Sequence, residues 1–251
     1  MTATPPPLMR AADAAEALAL LTRLPVPAHR PRGAASAWAW PLAGLVVGLL
    51  SGLIALLLLW LGVPAGIAAG LTLAAQVMLT GGLHEDGLAD CADGFWGGLE
   101  PTRRLEIMKD SRIGSYGVIA LALGLGLRWS ALSLLFAEGQ VFAPLIAAAM
   151  LSRAPMAVLM AALPNARGDG LSARVGRPAQ ETALLAAFVA LAFGLLVAGW
   201  AILAPVFWLT LAVTGLAALA RAKVGGQTGD VLGAAQQVAE IAALAAFASL
   251  V

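Results

Sequence analysis

The 251-residue chain is short of charge. Asp, Glu, Lys and Arg make up 12% of it, against about 25% in an average soluble domain. Hydrophobic residues fill 61%, against roughly 45–50% in ordinary globular proteins. So few charges cannot cover a surface facing water, which excludes a soluble globular protein. A single cysteine, Cys91, excludes an internal disulfide and a cysteine-built zinc site. The two histidines, His29 and His84, are too few and too far apart for an imidazole metal cage. No basic-then-apolar stretch opens the chain, and Thr2-Ala3-Thr4-Pro5-Pro6-Pro7 reads as a loose leader without a cleavable signal. The net charge of +1 decides little, because in such a composition the position of each charge matters more than the sum.

Long uncharged runs take the place of charge. Gly33–Leu83 runs 51 residues without one, and Thr182–Ala220 runs 39. About 20 apolar residues cross a bilayer, so each run holds two helices and a tight turn. The fold class is therefore all-α, a polytopic membrane helix bundle in a single domain. Residues 1–32 form an N-terminal interfacial segment, in which Leu8–Leu24 reads as a short helix carrying Arg10, Asp13, Glu16 and Arg23. Residues 33–251 form the transmembrane bundle. Seven spans are expected: Trp38–Trp60, Pro64–Leu83, Ile113–Phe136, Val141–Leu163, Thr182–Leu203, Val206–Ala220 and Val231–Val251.

The basic residues test this partition. Thirteen of the 15 Lys and Arg fall in four places: residues 10–32, 84–112, 164–181 and 221–230. The intervening turns hold none. Positive charge concentrates on the cytoplasmic side of membrane proteins, so all four segments are expected there. Arg128 and Arg153 alone lie inside spans. On the first span Gly44, Gly48 and Gly52 recur every four residues, a small-residue face that admits another helix closely.

The acids concentrate between residues 84 and 112, where seven of the 14 lie. The core reads His84-Glu85-Asp86-Gly87-Leu88-Ala89-Asp90-Cys91-Ala92-Asp93-Gly94. Asp86, Asp90 and Asp93 are spaced i, i+4, i+7, so a helix sets all three carboxylates on one face. Bare carboxylates ~5 Å apart at an effective dielectric near 20 repel by roughly 3 kcal/mol per pair, an arrangement that invites a cation. Oxygen ligands favour Mg²⁺, Mn²⁺ or Ca²⁺ over zinc or copper. Neither an EF-hand nor a His-Glu-x-x-His zinc helix fits the spacing. Lys109-Asp110-Ser111-Arg112 adds cations beside the acids, and Gly225-Gly226-Gln227-Thr228-Gly229-Asp230 adds glycine backbone able to approach a phosphate, with a further carboxylate. Acids, cations and glycine turns together suit a Mg²⁺-bound diphosphate.

These residues resemble the cobalamin synthase family, the adenosylcobinamide-GDP ribazoletransferases. The stretches that carry the resemblance are Thr22–Pro27, the His84–Gly94 core, Leu105–Arg112, Ser152-Arg153 and Gly225–Gly233. They run in order along nearly the whole chain. The resemblance implies an integral membrane enzyme that joins α-ribazole, or its 5′-phosphate, to adenosylcobinamide-GDP and releases GMP with Mg²⁺ as cofactor. It implies residence in the cytoplasmic (inner) membrane with the active site on the cytoplasmic face. The partners are then two small molecules and the lipid bilayer, with no nucleic acid, and an oligomer is compatible with it. On this reading Asp86, Asp90 and Asp93 bind the metal, and one of them, or Glu85 or Asp110, accepts a proton. His84, Lys109, Asp110, Arg112, Arg153, Gln227 and Asp230 bind substrate, Arg153 either by holding a phosphate from the floor of the site or by pairing with Glu240. The opening Asp90-x₂-Asp93-Gly94 also resembles the signature of CDP-alcohol phosphotransferases, but Gly97-Gly98 stands where Ala-Arg belongs there and the downstream aspartate pair is missing at that spacing. Asp110 and Asp230 are the available substitutes. A lipid head-group phosphotransferase, a membrane prenyltransferase and a cation transporter are the rival readings. A prenyltransferase needs a second aspartate-rich motif, and a transporter needs acids near mid-span, where only Glu240 qualifies.

Overall fold

A computed structural model describes residues 7–251; the expected leader falls almost wholly in residues 1–6, outside the described residues. Eleven α-helices account for most of the described chain, and no strand occurs among those residues. They are α1 (Ala12–Leu21), α2 (Trp40–Trp60), α3 (Ala65–Thr80), α4 (Leu83–Gly97), α5 (Pro101–Ile107), α6 (Ser115–Ala137), α7 (Phe142–Ala162), α8 (Gly170–Val175), α9 (Gln180–Ala198), α10 (Leu203–Val224) and α11 (Gly229–Ala248). Short 3₁₀ turns, Gly33–Ala39 and Gly199–Ile202, lead into α2 and join α9 to α10.

At the centre stands α7, buried along most of its length and packed between α2, α9 and α11. The close approach of α2 has a simple cause. A side chain at Gly44 would strike the backbone at Ala149, and one at Gly48 would meet Ile146 Cα at 2.7 Å. The glycine stripe is thus the seam between these two helices. Leucines on the outer surface of α2, such as Leu53 and Leu57, remain exposed, as lipid-facing positions should.

Five segments are long and apolar enough to cross a bilayer: Gly33–Trp60, Ser115–Ala137, Phe142–Ala162, Gln180–Val224 and Gly229–Ala248. A sixth is reached if α3 and α4, bent by 89° at their junction, count as one broken span. The expected seven are therefore not met as drawn. The span expected at Pro64–Leu83 shortens to the 16 residues of α3, because Gly81 and Gly82 both adopt positive φ (68° and 70°) and turn the chain sharply. The 45 residues of Gln180–Val224 form one apolar stretch, yet they double back at Gly199. Their two ends meet the same place: Arg177 Nε donates to Ala161 O at 2.8 Å, and Gln227 N–H donates to Pro164 O at 2.8 Å.

The N-terminal helix is shorter than expected, and its acids turn inward. Asp13 is fully buried, pairs with Arg32 at 2.6 Å and accepts from Trp38 Nε1 at 2.7 Å. Glu16 accepts from the backbone N–H groups of Arg32 and Gly33, both at 2.8 Å. These bonds strap α1 across the start of α2.

The four basic segments come together at one end of the bundle. Arg23 N–H donates to Leu79 O, Arg104 Nη1 reaches Lys223 O at 2.9 Å, and Lys109 pairs with Asp169 at 2.5 Å. Ala166 N–H bonds Gln227 O at 2.8 Å. The acid-rich helix α4 sits among them.

Candidate active site

The acid core folds as one helix, α4, as its spacing predicts, but its carboxylates part company. Asp93 is buried and accepts from Gly114 N–H at 2.7 Å and Gly117 N–H at 2.9 Å. It caps the first turn of α6, where unpaired N–H groups and the helix dipole both favour an anion. Glu85 points the other way, into the bundle, and pairs with Arg128 at 2.8 Å. Asp86 is exposed and Asp90 half-buried. Of the three aspartates expected to act together, Asp93 is thus engaged by α6 while Asp86 and Asp90 are not, and the expected proton acceptor Glu85 is held inward by Arg128. Among the described residues no three His, Cys, Asp or Glu side chains are gathered closely enough to hold a metal ion.

A third carboxylate approaches from another helix. The charges that act most on Asp90 are those of Asp230 and Asp86, with Arg167 the cation that opposes them. Asp230 stands at the start of α11 and pairs with Arg167 at 2.8 Å. Arg167 comes from the loop after α7, which is docked on the 225–228 turn by the Pro164 and Ala166 backbone bonds. No local pattern around Arg167 announces this role; only the folding of two distant loops against each other creates it.

Two openings flank α4. The wider is a cleft of about 640 Å³ lined by Arg23, Asp86, Asp90, Lys109, Asp110 and Arg112, with Gly81, Gly82 and Leu83 along its side. The second is a narrower chamber of about 130 Å³, bordered by Leu20 and Leu21 of α1 and by Trp40, His84, Met160, Arg167 and Asp230 among others. Leu83 and Asp86 line both.

The remaining expected residues divide between rim and interior. Asp110 and Arg112 pair with each other at 2.6 Å on the exposed α5–α6 loop, and the Arg112 hydrogen bonds hold the Asp110 carboxyl below the usual carboxylate range. Lys109 reaches Asp169 and lowers that carboxyl likewise. Gln227 is buried and acts through its backbone, tying residues 164–166. The glycine turn it belongs to does not present open backbone at Gly226, which packs directly on Pro164 O. His84 is buried between the chamber and a small inner cavity. Arg153 is buried too, and its Nη1 donates to Ala149 O at 2.7 Å. The partner expected for it, Glu240, is paired with Arg128 instead, at 2.8 Å.

That inner region is a polar network the sequence reading missed. Arg128 binds Glu85, Glu240, Gln237 and Gln76, joining α6 to α4, α11 and α3. Gln236 continues it to Ser152 at 3.0 Å and to Glu240. An uncharged glutamine pair on α11 and a lone arginine in an apolar helix were the available signals.

Comparison with known proteins adds the family. A family model described as cobalamin-5-phosphate synthase matches residues 13–248. The chain is 48% identical over 236 residues to an adenosylcobinamide-GDP ribazoletransferase of Mesorhizobium japonicum, covering 92% of this chain and 91% of that one. A protein of the same name from Bradyrhizobium diazoefficiens is 44% identical, with 93% and 92% covered, and one from Azorhizobium caulinodans 46%, with 93% and 94% covered. No solved structure matches the chain.

Proposed function

The chain belongs to the cobalamin-5-phosphate synthase family, and from that premise we propose that its acid-lined clefts join α-ribazole, or its 5′-phosphate, to adenosylcobinamide-GDP. The protein is a membrane-embedded transferase of small cobamide substrates. In the proposed step a ribazole hydroxyl attacks the cobinamide-side phosphorus. One P–O bond forms, the diphosphate linkage breaks, and GMP leaves with the electron pair of that linkage. The product is adenosylcobalamin or its 5′-phosphate.

The observation that carries this reading is a pair of carboxylates, Asp86 and Asp90, that form no ion pair among the described residues and lie in a cleft rimmed by Arg23, Lys109 and Arg112. The cations suit a diphosphate, whose oxygens each guanidinium can hold in pairs. Asp86 or Asp90 accepts the hydroxyl proton, and Arg167 steadies Asp230 beside them.

Mg²⁺ is the proposed cofactor, and the donor chemistry fits it in the usual way, one or two carboxylates completed by substrate phosphates rather than a gathered protein cage. Asp86, Asp90 and Asp230 offer hard carboxylate oxygens, and Arg167 is the one cation paired within the group. When bound, Mg²⁺ supplies neutralisation of the diphosphate and of the departing GMP. Asp93, occupied by α6, is left out of this set. The proposed location is the cytoplasmic (inner) membrane, with the basic end of the bundle and its clefts on the cytoplasmic face, supported by the clustering of Lys and Arg there.

The rival readings gain nothing from the relatives. Glu240, the acid that a transporter reading relied on, is neutralised by Arg128. The test is GMP release from adenosylcobinamide-GDP by purified protein in lipid, with and without α-ribazole and Mg²⁺. Release that needs both supports the proposal; release indifferent to α-ribazole overturns it.

A further inference from the structure

We infer that the chamber beside α1 seats the flat apolar base of the acceptor, a nucleoside or nucleotide, while the wider basic cleft takes the diphosphate-activated partner. This division rests on the transfer proposed above and assigns its two substrates to separate walls of α4.

The chamber has the character of a ligand site. Leu20, Leu21, Met156, Met160 and Leu232 give it apolar sides. Trp40, which also lines it, is 2% exposed, and its indole Nε1 has no hydrogen-bond partner among the described residues. Arg167 lines it as well, and its buried Nε has none either. Buried N–H groups are rarely left without an acceptor, because the lost hydration is not recovered. Two such donors belong to side chains that line one cavity, which favours a ligand that brings acceptors.

Size and chemistry narrow its class. The chamber measures about 130 Å³, close to the roughly 150 Å³ of a cavity that holds one benzene ring. It is too small for a guanine nucleotide joined to a second large group and takes the base of a riboside alone, with the sugar at the mouth beside Asp86. Methionine sulfur and an indole face are favourable neighbours for an aromatic ring. At the polar end, Asp86 and Asp230 accept from sugar hydroxyls, and Arg167 faces a 5′-phosphate or ring oxygen. An apolar-base riboside matches each of these groups. The wide cleft has the opposite character, with three cations on its rim and about 640 Å³ of space. Only Leu83 and Asp86 belong to both. A hydroxyl entering from the chamber and a phosphorus entering from the cleft therefore meet at Asp86.

The test uses the full-length protein in lipid nanodiscs, with initial rates of GMP release measured while each substrate is varied in turn. Trp40→Phe keeps the ring and removes the donor; Leu20→Trp, on the strapped helix, fills the chamber. Trp40→Phe should raise the KM for α-ribazole by about tenfold, the worth of one hydrogen bond, and Leu20→Trp by more, with the KM for adenosylcobinamide-GDP within twofold of the parent. Arg23→Ala and Arg112→Ala should do the reverse. Thermal midpoints of all four variants identify any that fold poorly, and Leu20→Trp stands in if Trp40→Phe does. Stable chamber variants with an unchanged α-ribazole KM, or with both KM values rising together, overturn the assignment while leaving the transfer itself intact. A parent protein that releases no GMP on adding α-ribazole sinks the transfer reading first.

Discussion

Two groups of charge meet on α4 at the adjacent residues Glu85 and Asp86, and they are built on opposite rules. Around Arg128 and Arg153 the charges are matched, two cations to two acids: Glu85 and Glu240 each sit 2.8 Å from the Arg128 guanidinium, Arg153 lines the same small cavity, and Gln76 and Gln237 take further Arg128 N–H groups at 3.1 Å. Around Asp86 and Asp90 they are mismatched, three carboxylates against one close arginine. A matched buried group holds helices together without asking anything of a ligand. A mismatched one at an open cleft is tolerable because water, and then a cationic ligand, supplies what the protein withholds. The two are mechanically linked through neighbouring residues. Successive residues on a helix point about 100° apart, so Glu85 fastened inward fixes the rotation at which Asp86 faces outward.

The largest effect should come from breaking the matched group. Arg128→Ala leaves two buried carboxylates without their counter-ion and should lower stability by about 3–5 kcal/mol, measured by thermal or denaturant unfolding in detergent. Arg128→Met combined with Glu85→Gln, which leaves Glu240 facing Arg153, should recover most of that loss. If the double variant is as unstable as the single one, the group is not held by charge pairing.

The mismatched group should answer in activity instead. Asp86→Asn and Asp90→Asn should lower turnover at least ~10²-fold, about 2.7 kcal/mol of barrier, with unchanged or slightly raised thermal midpoints because repulsion is relieved. Near-normal turnover for both in saturating Mg²⁺ would erase the distinction drawn here. Glu85→Gln sharpens it, with a measurable loss of stability and turnover within about fivefold, near 1 kcal/mol.

Asp93 belongs to the structural side although it shares a helix face with the other two. Asp93→Asn should cost about 1 kcal/mol of stability as a lost cap and should leave the apparent Mg²⁺ requirement unaltered. A large rise in the Mg²⁺ needed for half-maximal turnover would return it to the metal site. The smallest effect concerns the exposed Lys109–Asp169 pair. Its carboxyl is held below the ordinary range, so the contact persists at neutral and mildly acid pH and is lost as pH falls through that lowered value. Asp169→Asn should therefore alter the acid limb of the pH–rate profile only slightly, and salt should mimic the substitution.

Much of this was legible in one dimension. Uncharged runs too long for a soluble domain fix a helical membrane bundle, since only satisfied backbone survives in lipid. The glycine stripe on α2 announced a close helix partner, and the Asp86–Asp93 spacing announced one helix carrying all the acids. The count of spans was harder: the fold-back of the second uncharged run is expected from its length and its basic end, but hydropathy does not reveal that the chain bends by 89° at Gly81 and Gly82.

The function of each acid was not legible at all. Asp86, Asp90 and Asp93 are alike in sequence, and so are the lone arginines Arg128 and Arg153. Periodicity states which side of a helix a residue occupies, which is a local property of 3.6 residues per turn. It does not state what stands opposite. That Asp93 meets the N-terminus of α6, that Glu85 meets Arg128, and that Asp230 and Arg167 arrive from separate loops beside Asp90 depends on contacts between residues 20 to 150 positions apart. The sequence alone determined the lipid solvent, the helices and the place where charge gathers. Which of those charges are neutralised by the protein and which are left for a ligand was decided only when the helices packed, because pairing depends on distance in space.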